Sequence, residues 1–175
     1  MIIGITGPSG SRKTSIVKHL AKRHGFARLH AGMPVKKGLR VGFELAAAHT
    51  SGKAKDNATQ LLGGVVVRDA MEAVGSAVHE AAPKATSMVM QRRVLQRVGQ
   101  GRDVVVDGLR SPVEAATLRR LGGVIVRADN GKEPDPNKPL DQLQSTIVAD
   151  QSVDTSGKKK ARKAAADQML ADLCA

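Results

Sequence analysis

The 175-residue chain holds one cysteine, no tryptophan, no tyrosine and only two phenylalanines. A lone cysteine, Cys174, excludes a disulfide framework and any cysteine-based metal site within the chain, and its simplest reading is a small, partly buried residue. With Phe26 and Phe43 as the only aromatics, the stacking platforms that hold single-stranded nucleic acid are nearly absent. No run of about 18 apolar residues exists to span a membrane, and the short apolar start MIIGI leads into a loop rather than a signal-peptide core, so a cytoplasmic protein is expected. Acidic residues are scarce too. Sixteen Asp and Glu stand against 28 Lys and Arg, and the formal net charge of +12 points to anionic partners. This length supports one well-buried core, so a single domain is expected.

What the sequence does contain is an alternation of strand and helix patterns. MIIGITG is a β-type run ending in glycine, and KTSIVKHLAKRHG follows with Ile16, Val17, Leu20 and Ala21 on one helical face. FARLH, residues 26–30, is a second short strand. Pro34 opens an amphipathic stretch expected to run to about Ala48, and residues 50–58 read as an exposed connection. From Gln60 to Gly99 the pattern is mostly helical with a break near Pro83. RDVVVDG then predicts a strand buried on both faces, and SPVEAATLRRLGG predicts a helix with a capping box at Ser111 and Glu114. VIVRA is a further buried strand, DNGKEPDPNKPLD reads as a mobile excursion, a last strand lies near Gln151 to Asp154, and a basic alanine-rich helix closes the chain. Strands alternating with helices predict a parallel sheet covered on both faces.

The chemistry is concentrated in GPSGSRKTS. Gly7, Ser9, Gly10, Ser11, Arg12, Lys13, Thr14 and Ser15 form a phosphate-binding loop (P-loop) pattern between an apolar strand and an amphipathic helix. Backbone N–H groups in such a loop converge on phosphates at a helix N-terminus. Lys13 is placed for the β- and γ-phosphates of a nucleotide and the Thr14 hydroxyl for Mg²⁺. The glycine usual before the lysine is replaced by Arg12, whose Cβ a negative φ would accommodate. In RDVVVDGLR, Asp107 ends a central strand and can reach a metal or its water shell, and Arg110 can meet a phosphate.

Together these segments resemble the deoxynucleoside monophosphate kinases of tailed phages and their dephospho-CoA-kinase-like relatives. GFARLHAGMPVKKGLRVGF matches that family's second strand and following stretch through Ala31, Pro34 and Lys36. ATQLLGGVVVRDAMEAVG matches a helix segment through Gln60, Gly63 and Arg68. DGLRSPVEAATLRRLGGVIVR matches a third block through Asp107, Arg110, Pro112, Glu114 and Gly123. The resemblance implies a P-loop three-layer α/β/α fold with a five-stranded parallel sheet, of the nucleoside monophosphate kinase type. It implies transfer of the γ-phosphoryl of ATP, with Mg²⁺, to a (deoxy)nucleoside monophosphate. Lys13, Asp107 and Arg110 would be catalytic, Lys36, Arg68 and Arg110 would hold the acceptor, and Thr14 and Asp107 would serve the metal. A substrate-binding helical insertion over residues 33–100 and a lid over residues 130–144 follow from the same resemblance.

The match departs from the family at Gly108, where a second Asp is frequent, at Val113, where Asn stands, and at Arg12. The alternatives are a kinase of another small acceptor such as dephospho-CoA, and a basic nucleic-acid-binding or regulatory protein on a decayed P-loop scaffold. Arg92, Arg93 and Arg97 read as a solvated helix face, as do Lys158, Lys159, Lys160, Arg162 and Lys163, with nucleic acid a partner not favoured. The five histidines read as surface or packing residues. The sequence leaves open whether the protein forms a homodimer.

Overall fold

The structure, a computed structural model, describes residues 1–175 as two compact units, residues 1–31 with 87–175, and residues 32–86. The first unit is built on a five-stranded sheet. Its strands are β1 (Ile2–Thr6), β2 (Ala27–His30), β5 (Val104–Asp107), β6 (Val124–Asp129) and β7 (Gln151–Asp154), in the order β2-β5-β1-β6-β7, and every pairing is parallel. Parallel neighbours need crossovers, which is why helices intervene. These are α1 (Lys13–His24), α4 (Ala85–Val98), α5 (Pro112–Arg120), α6 (Pro139–Ser145) and α7 (Lys159–Cys174).

Strand alternation divides the core into two layers. Ile3, Ile5, Val105, Val126 and Val153 pack with Ile16, Val17 and Leu20 of α1 and Ala166 and Met169 of α7. Ile2, Val104, Val106 and Ile125 pack on the other face with Met90 and Val94 of α4 and Ala115 and Leu118 of α5. Each fully buried Ile of β1 contributes about 1.5–3 kcal/mol. Gly4 lies between them because a Cβ there would stand 2.6 Å from Leu109 Cδ1 and 2.7 Å from Leu118 Cδ1. The unit is therefore a three-layer α/β/α sandwich with a five-stranded parallel sheet, as the sequence patterning and the resemblance predict.

The second unit holds α2 (Met33–Gly42), a two-stranded hairpin of β3 (Ala58–Thr59) and β4 (Val65–Val66), and α3 (Val67–Ala81). Its core is Leu39, Leu45, Val67 and Met71. Several sequence expectations are corrected here. The helix opened by Pro34 stops at Gly42 rather than near Ala48, and the hairpin interrupts a segment that reads as helical. Thr50, expected in an exposed connection, is buried and accepts a 2.6 Å hydrogen bond from Arg40 Nε. The break expected near Pro83 does fall between α3 and α4, and α4 delivers Met90 and Val94 to the sheet core of the first unit. Cys174 is exposed, not partly buried. No helix is long and apolar enough to cross a membrane.

Candidate phosphate site

The loop begins where β1 ends. Gly7 takes φ +133°, and a Cβ there would meet the Ala128 carbonyl and stand 2.9 Å from Ser11 Oγ, so the turn admits only glycine. Ser11 is fully buried, and the Thr155 hydroxyl lies 2.8 Å from the Ser11 carbonyl and 2.8 Å from that of Asp129. This ties the loop to the ends of β6 and β7.

Arg12 corrects the expectation of a negative φ. It sits at φ +62°, ψ 19°, in the left-handed region, as the N-cap of α1. A non-glycine residue there costs about 1–2 kcal/mol. The offset is visible, because Arg12 Nη1 donates to the carbonyls of Thr155, Ser156 and Gly157 at 3.2, 2.8 and 3.2 Å. The side chain is thereby turned onto the segment following β7.

Lys13 folds back over its own loop. Its ammonium bonds the Gly7 carbonyl, the Pro8 carbonyl at 2.7 Å and Ser11 Oγ at 3.3 Å. Thr14 Oγ1 donates to Asp107 Oδ2 at 3.3 Å, and Arg28 Nη2 donates to the same oxygen at 2.9 Å. Asp107 is buried, at the carboxyl end of β5 and in register with His30 of β2. A hydroxyl, a carboxylate and an ammonium thus gather at the carboxyl ends of the central strands, where ligands of open parallel sheets bind. The ammonium can hold an anion, and the two oxygen groups suit a hard cation. Arg28 has no place in the sequence motifs. The signal that could have found it is a charged residue inside the FARLH strand, and it becomes meaningful only once β2 is known to adjoin β5.

The segment after β6 closes around the loop's outer edge. Asn130 Nδ2 donates to the Gly10 carbonyl at 3.3 Å, and a Cβ on Gly10 would stand 3.2 Å from Lys132 Nζ. The buried carboxylate of Asp141 accepts from Ser9 N at 3.1 and 3.2 Å and from Asp135 N at 3.4 Å. Lys138 beside Asp135 and the Asn137 N–H hold the Asp135 carboxyl below its ordinary range. The stretch read as a mobile excursion therefore carries α6, with Leu140, Asp141 and Gln144 buried.

Of the other sequence candidates, Ser15 lies in the first turn of α1 with its N–H on the Arg12 carbonyl at 2.9 Å. Arg110 follows β5, and its N–H is accepted by Glu114 Oε2 at 2.7 Å while Ser111 Oγ caps Glu114 N at 3.3 Å. The reach-back of Glu114 goes to the residue before the N-cap. Lys36 lies on α2 and Arg68 in the first turn of α3, where Arg68 Nε bonds Asp56 Oδ1 at 2.6 Å. Both belong to the second unit, whereas residues 7–15, Asp107 and Arg110 belong to the first.

No family model matches the sequence, and no curated protein matches it by sequence. The fold has solved counterparts. Shikimate kinase from Aquifex aeolicus superposes with a TM-score of 0.56 at 14% identity, covering 99% of this chain and 96% of that one. Shikimate kinase from Acinetobacter baumannii in complex with shikimate gives 0.53 at 14% identity, with 99% and 92% covered. A sugar kinase from Janibacter gives 0.53 at 14% identity, with 98% and 93% covered. The chain thus shares the fold of these kinases.

Proposed function

We propose that the protein is a P-loop phosphotransferase that moves the γ-phosphoryl of ATP to a (deoxy)nucleoside monophosphate, giving the diphosphate. The observation that carries the reading is the loop of Gly7 to Thr14 opening α1 with Thr14 Oγ1 3.3 Å from the buried Asp107 carboxylate. Shared fold with three solved kinases supports it, and the motif blocks described above favour a nucleotide acceptor. Thr14 and Asp107 offer the hard oxygen donors that Mg²⁺ takes while keeping most of its waters. Bound there, Mg²⁺ would neutralise charge on the donor's phosphates. The loop N–H groups hold the donor, and Lys13 leaves the Gly7 and Pro8 carbonyls to meet the transferring group. Arg28 orients the Asp107 carboxylate through its 2.9 Å bond to Oδ2.

The acceptor's phosphate oxygen is already ionised at neutral pH, so a new P–O bond forms to it as the bond to ADP breaks, with no general base required. Arg68, Lys36 and Arg110 are proposed to grip the acceptor's phosphate, arginine doing so bidentately. Residues 130–144 are proposed as a lid that excludes water from the γ-phosphate. A second reading, transfer to a hydroxyl-bearing small acceptor, draws on the structural counterparts, a shikimate kinase and a sugar kinase.

A coupled ADP-release assay across the deoxynucleoside and nucleoside monophosphates, with shikimate and hexoses as controls, tests the reading. Turnover is expected with at least one monophosphate, lost by about 10²-fold or more in Lys13→Ala. Arg68→Ala is expected to raise chiefly the acceptor KM. Turnover with the hydroxyl acceptors alone would transfer the assignment to the second reading. Undiminished activity in Lys13→Ala would overturn both.

A further inference from the structure

Beginning at Ser15, the last residue of the phosphate-loop pattern, α1 and α7 border a cleft of about 480 Å³ lined by Ser15, Lys18, His19, Lys22, Arg23, Lys159 and Lys163. Five of these seven carry full positive charge, and no carboxylate lines the cleft. None of the five cations is engaged in an ion pair. Asp167 of α7 bonds the cleft's His19 and also His24: His19 Nε2 and His24 Nε2 both lie 2.7 Å from its Oδ1. Together the two imidazoles and the carboxylate bring three metal-ligand atoms within 4.8 Å of one another. With five cations around His19, however, a divalent ion would enter against their repulsion, and hydrogen bonding already accounts for the cluster. The cleft's electrostatics select an anion with several negative charges in succession.

We propose that this cleft binds the sugar-phosphate backbone of duplex nucleic acid, without reading sequence. Lys18 and Lys22 are one helical turn apart on α1, and Lys159 and Lys163 are one turn apart on α7. Each pair is therefore offset by about 6 Å along its helix axis. Successive phosphates of one strand advance about 3.4 Å along a duplex, so each lysine pair spans close to two steps. Single strands are a poorer fit, because they are gripped by stacking on aromatics and the cleft's only ring is that of His19. The inference stands on the cleft alone and does not depend on the kinase reading.

Fluorescence anisotropy with a mixed-sequence 20-base-pair duplex, titrated over NaCl concentration, tests it. The logarithm of the binding constant should fall with log salt at a slope between about −3 and −4.5, as expected for three to five neutralised phosphates. The double variant Lys22→Ala/Lys163→Ala should flatten that slope by about two and weaken binding at least about tenfold at 50 mM salt, with an unchanged melting temperature. Arg92→Ala/Arg93→Ala, which removes two charges from α4, should leave both quantities within about twofold of wild type. An equal loss in the α4 variant would mean attraction by overall net charge and overturn the proposal. Tighter binding of a single strand, or displacement of the duplex by saturating Mg-ATP, would overturn it as well, the latter by making the cleft part of the nucleotide's own site. Binding to anionic vesicles with no binding to the duplex would do the same.

Discussion

Arg12 shows how one residue can break a local rule and be held by its surroundings. Its left-handed backbone is what the glycine of the motif ordinarily supplies, and its guanidinium is committed to the carbonyls of Thr155, Ser156 and Gly157. Arg12→Gly should relieve strain of about 1–2 kcal/mol but lose charge-assisted bonds worth more, a net loss of about 1–2 kcal/mol. For a chain of this size that is a fall of a few degrees in melting temperature. ATP affinity by calorimetry is expected to stay within severalfold of wild type. A variant with unchanged melting temperature and a lowered kcat would instead show that the guanidinium leaves those carbonyls to act on the transferring group. The loop itself was legible because its residues are contiguous and their spacing is dictated by phosphate geometry. The ion pair of Arg28 with Asp107 was not, since its members are 79 residues apart and only the strand order makes them neighbours.

Among the elements, α5 was readable from Ser111, Pro112 and Glu114, whose roles at a helix start are local. The hairpin of β3 and β4 was not, because two-residue strands carry no periodicity. The prolines that suggested a mobile stretch conceal α6, in which Pro139 occupies the favourable first position. Its docking makes a specific expectation for the proposed lid. Hydrogen exchange should be slow across α6 even without ligand, and protection on adding a bisubstrate analogue should arise mainly in residues 130–138; unchanged exchange there would remove the lid. A second element-level expectation concerns acid. Burial pushes the Asp150 carboxyl up, but Arg119 and the Ile125 N–H outweigh it and hold the group below its ordinary 3.8. A depressed folded value means that the unfolded chain binds the proton first, so this stabilisation is present at neutral pH and fades as pH falls below about 4. Melting temperatures from pH 6 to pH 2.5 should therefore fall less steeply in Asp150→Asn than in wild type, and parallel curves would refute the linkage between β6 and the Val148–Asp150 turn.

At the scale of the whole molecule, strand and helix alternation announced a parallel sheet, yet nothing in the chain's local patterns states the order β2-β5-β1-β6-β7 or that residues 32–86 gather as a unit of their own. Those facts depend on which buried faces find each other, such as Ile3 and Val105 with Leu20 on one side and Val104 and Met90 on the other. The central position of β1 has a consequence in time. Its two partners are β5, beginning at Val104, and β6, beginning at Val124, so β1 gains its first neighbour only once Val104 is present and its second only with β6. Until then MIIGI is an unpaired apolar segment beside a basic helix, and pairing it requires closing long loops before any contact rewards the closure. The Ala128 carbonyl against Gly7 arrives with β6, and the Thr155 hydroxyl against Ser11 comes later still. The phosphate loop thus stays incomplete until Thr155 is in place, although the loop's own residues come far earlier in the sequence.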